Sequence, residues 1–274
     1  MGFFAEPRID SHCHILDPQR FPYADDVLYR PQGQEIGDQT ALEAVMACNG
    51  VRHALLVGPN SGYNLDNRCL LHAIATGQGR FKGIAVVRND MSLEALAALK
   101  AQGVVGVAMN IALHGMAYYA PGLSELLHKL EALDLWANFQ VEADQLLELL
   151  PYLEHSQVKL VFDHCGRPLA ARGVQQPGFQ ALLALGRAGR ASVKLSGEVK
   201  FCTQGFPFSD ARPYWDALLQ AFGLQHCVWA SDWPYLKAPV RMDYGPMLQR
   251  WEGYLSRTER QQLMWDSPRQ LFGF

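Results

Sequence analysis

Two histidines stand two residues apart near the start of the chain, in the run Ile9-Asp10-Ser11-His12-Cys13-His14. Residues i and i+2 of an extended strand point to the same side, so both imidazoles can face one site. The pair alone is a weak signal: nine histidines in 274 residues would supply about 0.3 such pairs by chance. Two later segments strengthen it. His164 follows the apolar run Lys159-Leu160-Val161-Phe162, within Asp163-His164-Cys165-Gly166-Arg167-Pro168. Asp232 follows Val228-Trp229-Ala230, within Ser231-Asp232-Trp233-Pro234. Three imidazoles and a carboxylate can do two kinds of chemistry. They can hold a divalent metal, zinc foremost, with His12, His14 and Asp232 as a single-ion set completed by water. Alternatively, the histidines hydrogen-bond a carbonyl while Asp232 takes a proton from attacking water. Both routes end in water attacking a carbonyl.

The elements that must hold these groups follow from the apolar pattern. Eight short runs read as strands: Arg8–Ser11, His53–Pro59, Gly83–Val87, Val104–Asn110, Leu135–Val141, Lys159–Asp163, Ala191–Ser196 and Cys227–Ser231. Several are apolar nearly throughout, as strands covered on both faces are. Helical periodicity fills the gaps, over Gln39–Cys48, Asn67–Thr76, Ser92–Ala101, Leu123–Leu133, Asp144–His155, Phe179–Arg187 and Pro213–Phe222. The tail adds Pro246–Tyr254 and Thr258–Met264, with Ser256 and Glu259 spaced as a capping box. Eight strand–helix units in a chain of this length predict an α/β fold, a (β/α)8 TIM barrel spanning residues 1–274 as one domain. An open doubly wound sheet would carry a glycine-rich loop after its first strand, where this chain has His-Cys-His-Ile-Leu-Asp-Pro. In a barrel, active-site residues sit at the C-terminal strand ends, and closure sets strand eight beside strand one. Asp232 is thereby expected beside His12 and His14.

Composition narrows the setting. Apolar residues make up 49% and charged residues 19%, with a net charge of −3, which is the profile of a packed domain rather than a disordered chain. Without a Lys/Arg block, nucleic acid and anionic membrane surfaces are not expected partners. The first residues lack the basic and long apolar regions of a signal peptide, and no run reaches the ~20 apolar residues of a membrane helix. The six cysteines are scattered without a CxxC pair, as expected of reduced thiols in the cytoplasm. A homodimer is compatible with this picture, because barrels often pair through outer helices, but no stripe singles out a face.

The ordered motifs IDSHCH, DHCGRP, VKLSG and VWASDWP resemble the amidohydrolase superfamily. More narrowly, they are similar to its branch of 2-pyrone-4,6-dicarboxylate and sugar-acid lactonases. The resemblance runs from Ile9 to the terminal Leu-Phe-Gly-Phe. It implies a (β/α)8 barrel that opens lactones, in some members with no required metal. It also implies that Asp232 is the general base, that His12, His14 and His164 polarise the carbonyl or hold one metal, and that Tyr29 contacts substrate. Metal-dependent decarboxylases and lactone isomerases share the architecture and stay as alternatives, as does hydrolysis of the pyrone dicarboxylate itself.

Departures from that branch bear on substrate. Where the dicarboxylate lactonase carries two arginines at strand four, this chain has Val105 and Ala108, and an arginine after the KLSG motif becomes Lys200. Lysine cannot copy the bidentate fork that arginine offers a carboxylate, so a less anionic lactone, such as a sugar-acid lactone, is expected. Strands four and five end in Asn110 and Gln140 rather than a Lys or Glu that could bridge two metals, which argues against a two-metal centre. Asn60, Gln140, Arg167 and Lys200 are the further candidates for substrate contact. Tyr118, Tyr119 and Trp136 are expected to be packing residues.

Overall fold

The computed structural model describes residues 2–274. Eight strands follow one another in parallel, β1 (Arg8–Cys13), β2 (Val51–Val57), β3 (Phe81–Val86), β4 (Val104–Asn110), β5 (Trp136–Gln140), β6 (Lys159–Phe162), β7 (Ala191–Leu195) and β8 (Cys227–Trp229). Each pairs with its neighbour in sequence order. Around the seam between β8 and β1, the Asp232 amide donates to the His12 carbonyl at 2.8 Å and the His14 amide to the Trp233 carbonyl at 2.8 Å. The barrel is a (β/α)8 barrel, as the strand–helix alternation predicts.

The helices fall where the 3.6-residue period placed them, Gln39–Cys48 to the residue and the others within about two residues. Glu259 and Ser256 form the reciprocal capping box at the start of Arg257–Gln261. The tail departs from expectation: that helix runs into a π-helical turn at Gln262–Asp266 and then a separate helix, Ser267–Phe272. Pro268 sits in the first turn of that last helix, where the missing N–H costs nothing. Two short helices, Ile111–His114 and Met116–Tyr119, were not expected; Gly115 between them has φ 76°.

Side-chain alternation splits the core in two. Leu55, Val57, Ile84, Val86, Ala108, Val161 and Val228 pack together inside the barrel, and Trp136 and Phe272 plug its N-terminal end. The residues of opposite parity, such as Leu56, Ala85, Val107 and Phe162, pack outward with the helices. Val105 joins the inner cluster near the plug, while Ala108 reaches the cavity at the other end. Of the two positions expected to shape substrate charge, Ala108 lines the cavity and Val105 does not.

Candidate functional site

Strand β1 carries an irregularity that aims its histidines. Asp10 aligns with Ala54 and Cys13 with Leu56, so three steps on β1 span two on β2. Such a bulge re-aims side chains, and bulges are frequent beside active sites. Asp10 holds it from within the sheet: Oδ1 accepts from the His12 amide at 3.2 Å and the Ser231 amide at 2.9 Å, and Oδ2 from the Tyr244 hydroxyl at 2.8 Å. Backbone on two other loops is strained. His164, Cys165 and Arg167, all non-glycine, have φ of 54°, 57° and 44°, and Asp232 has φ 61°. Left-handed residues of this kind cost about 1–3 kcal/mol each and persist where the surroundings over-determine them. Here they turn His164 and Asp232 back into the barrel mouth.

The four groups expected to do the chemistry converge. His14 Nε2 lies 3.5 Å from Asp232 Oδ1, and the Nε2 atoms of His12 and His164 each lie 3.7 Å from it. His12 Nε2 and His14 Nε2 are 3.3 Å apart. All four side chains are buried. Burial alone would raise the pKa of Asp232, but the charged groups around it, Lys200 first among them, outweigh it and hold the carboxylate ionised well below its ordinary range. Burial pushes the His12 pKa down to about 4, so that ring is neutral at pH 7. Burial also keeps His164 neutral.

Ring-nitrogen partners constrain what each histidine can offer. His14 Nδ1 lies 2.8 Å from the Val57 carbonyl, which can only accept. In a neutral ring the proton is therefore on Nδ1, and Nε2 presents a lone pair. A neutral His14 can orient water or bind a cation, but it cannot donate to a carbonyl. His164 Nδ1 meets the Ser196 hydroxyl at 2.9 Å, which can take either role.

The donor set fits one divalent ion. Zinc bonds to N and O of about 2.0–2.1 Å give tetrahedral ligand–ligand edges of about 3.3–3.4 Å, near the 3.3–3.7 Å contacts among these atoms. Lys200 Nζ lies 2.8 Å from Asp232 Oδ2, yet neither carboxylate oxygen accepts a well-angled hydrogen bond. A buried, under-satisfied carboxylate facing imidazole lone pairs is a cation-accepting arrangement. His12, His14 and Asp232 would hold the ion, with His164 Nε2 also within reach. Asp163 with His12 and His164 forms a second close group, but the Lys194 ammonium 2.9 Å from Asp163 Oδ1 already occupies that carboxylate.

A cavity of about 500 Å³ opens over the cluster. Asn60, Gln140, Arg167 and Lys200 line it, as do Asn110 and Ala108. Arg167 is paired with Glu142 at 2.6 Å. Tyr29 does not line the cavity: its hydroxyl donates to Glu35 and its ring lies under the Lys237 ammonium. Lys237 itself reaches the cavity rim. Tyr119 and Trp136 pack as expected, while Tyr118 is exposed and stacks on His114.

Sequence reasoning missed a buried polar layer beneath the histidines. Lys194 Nζ, completely buried, contacts Asp163 Oδ1 at 2.9 Å, Asn138 Oδ1 at 2.6 Å and His12 Nδ1 at 3.2 Å. Asn138 Nδ2 donates to Asp163 Oδ2 at 2.7 Å. The signal was present: a lysine and an asparagine interrupt largely apolar strands, and an inward polar group there needs a partner.

The amidohydrolase family model matches residues 9–274. The chain belongs to the amidohydrolase family. This amidohydrolase is 30% identical to a 4-sulfomuconolactone hydrolase of Rhizobium radiobacter, over 96% of its own chain and 89% of that protein. It is 24% identical to a 2-pyrone-4,6-dicarboxylate hydrolase of Comamonas testosteroni, covering 96% and 89%. Among solved structures, a probable 2-pyrone-4,6-dicarboxylic acid hydrolase of Acinetobacter baumannii with bound citric acid superposes with a TM-score of 0.86. It is 27% identical, over 97% of this chain and 99% of that one. Among the described residues, no helix is long and apolar enough to cross a membrane.

Proposed function

We propose that this amidohydrolase opens the ring ester of a small lactone, a sugar-acid lactone foremost. One observation carries the reading: an ionised Asp232 set among three imidazoles beneath an open cavity of about 500 Å³. Water held between Asp232 and the His14 lone pair would give its proton to Asp232 as its oxygen bonds to the lactone carbonyl carbon. The developing oxyanion would be met by N–H donors from His12 and His164, whose burial strengthens those hydrogen bonds. The acyl–oxygen bond of the ring then breaks, and the departing alkoxide takes the proton back from Asp232 to give a hydroxy acid. A divalent cation on His12, His14 and Asp232 would, when bound, polarise the same carbonyl and acidify the water.

The cavity wall supports a weakly anionic substrate. Lys200 and Arg167 each already face a carboxylate, Asp232 and Glu142 respectively, and Ala108 stands at the wall of β4. The amides of Asn60 and Gln140 suit ring hydroxyls. Lys237 at the rim is available for a single carboxylate. The scattered, unpaired cysteines favour a reducing, cytoplasmic setting.

Proton release would be followed with aldonolactones, muconolactones and the pyrone dicarboxylate, each with and without chelator. The reading expects turnover of a sugar-acid lactone at least tenfold more efficient than of the pyrone dicarboxylate. Turnover of no lactone on the panel by a folded protein would reject it.

A further inference from the structure

His12 is the imidazole of the cluster whose Nδ1 faces an acceptor and a donor at once. Its Nδ1 lies 3.1 Å from Asp163 Oδ1, which only accepts, and 3.2 Å from Lys194 Nζ, which only donates. Its Nε2 lies 3.3 Å from the lone pair of His14 Nε2. A neutral ring has one proton, so two arrangements are open. With the proton on Nε2 and no substrate in the mouth, a chain of donors runs one way: Lys194 to His12, His12 to His14, and His14 to the Val57 carbonyl. With the proton on Nδ1, His12 donates to Asp163 instead. The Nε2 lone pairs of His12 and His14 then face each other at 3.3 Å, buried and unmatched unless a cation lies on both.

The layer beneath is built so that neither partner can leave. Asn138 accepts from Lys194 and donates to Asp163, and Lys194 is completely buried. In the Nε2–H arrangement, His12 Nδ1 and Asp163 Oδ1 approach without a proton between them. The ammonium, 2.9 Å from Oδ1 and 3.2 Å from Nδ1, sits beside both and offsets that contact. We propose that Lys194 and Asp163 select the tautomer of His12. Lys194 is a positioning residue that keeps the proton on Nε2, facing the substrate, when no cation is bound. Asp163 accepts the hydrogen bond from Nδ1–H when the ring's proton shifts there and a divalent cation takes the Nε2 lone pair. The inference goes beyond the lactone reading, since it holds whatever carbonyl compound enters the mouth.

Imidazole ¹⁵N NMR of the full-length protein tests it, with the His12 signals assigned by their loss in His12→Gln. Chelator-treated wild type is expected to carry the proton on Nε2, and added zinc should move it to Nδ1. Lys194→Met should carry the proton on Nδ1 even in chelator and bind zinc more tightly. Asp163→Asn should keep the Nε2 proton and bind zinc more weakly. Each change in zinc Kd, read by competition with a metal indicator, should be about tenfold or more, the usual scale for groups that orient a ligand. A purely structural role would weaken zinc binding in both variants, and that result overturns the proposal. So does an Nδ1 proton in chelator-treated wild type, a measurement that stands even if Lys194→Met fails to fold.

Discussion

Replacing Asp232 with Asn tests the centre of the site with little change of shape. The carboxylate is ionised, and its Oδ1 lies 3.5–3.7 Å from three imidazole nitrogens. An amide cannot take the water proton, and loss of a positioned general base typically lowers turnover by about 10²–10⁴-fold, or roughly 3–5 kcal/mol of barrier. Stability is affected differently. The Lys200–Asp232 contact at 2.8 Å corresponds to about 6 kcal/mol of gross attraction at an effective dielectric of about 20. Little of that is lost on folding balance, because removing a buried carboxylate also removes its desolvation penalty. Lys200, on the cavity wall and partly exposed, can turn toward water. Asp232→Asn should therefore melt within a few degrees of wild type while proton-release assays fall at least a hundredfold in kcat. A folded variant that keeps more than a tenth of wild-type kcat on the true substrate would refute the general-base role.

Three further outcomes follow from neighbouring residues. Lys200 leads the influences that lower the Asp232 pKa against burial. In Lys200→Met that pKa rises, and because the base works ionised, activity lost on acidification should be lost at higher pH; an unmoved acid limb of the kcat profile would contradict this. Ala108→Arg should place a guanidinium at the cavity wall and lower KM for dicarboxylated lactones about tenfold or more, the scale of a charge-assisted hydrogen bond; steady-state kinetics across the lactone panel would show it. In Gly197→Ala, at φ 71°, the new Cβ would lie 2.6 Å from His164 Cβ and 2.8 Å from its Nδ1. Overpacking and the left-handed backbone should together cost about 2 kcal/mol or more, read as a lower melting temperature with lower kcat, whereas unchanged kcat would show that His164 tolerates displacement.

Much of the architecture was legible before any coordinates. Apolar runs buried on both faces are long enough to read as strands, and the helical period between them is unambiguous, so eight βα units emerge from local pattern alone. Chain order and closure then bring Asp232 to His12 and His14, because strand eight must meet strand one. Less visible was anything set by a long-range fit. The bulge that aims His12 depends on pairing with β2. The left-handed turn at His164 packs against Gly197 from another loop. The resemblance gives Tyr29 a substrate contact, yet its hydroxyl donates to Glu35 and its side chain does not line the cavity.

The histidines that opened the sequence reading show where local information stops. Residue type and spacing pointed to imidazole and carboxylate groups gathering at one end of a barrel, a set suited to water attack on a carbonyl. Which nitrogen of each ring carries the proton depends on groups far away in sequence: Val57 for His14, Ser196 for His164, and Lys194 with Asp163 for His12. Those partners come from different strands and meet only when the barrel closes. Residue type and spacing supply the reagents, and the closed barrel sets which of them donate and which accept, because hydrogen-bond direction depends on through-space neighbours.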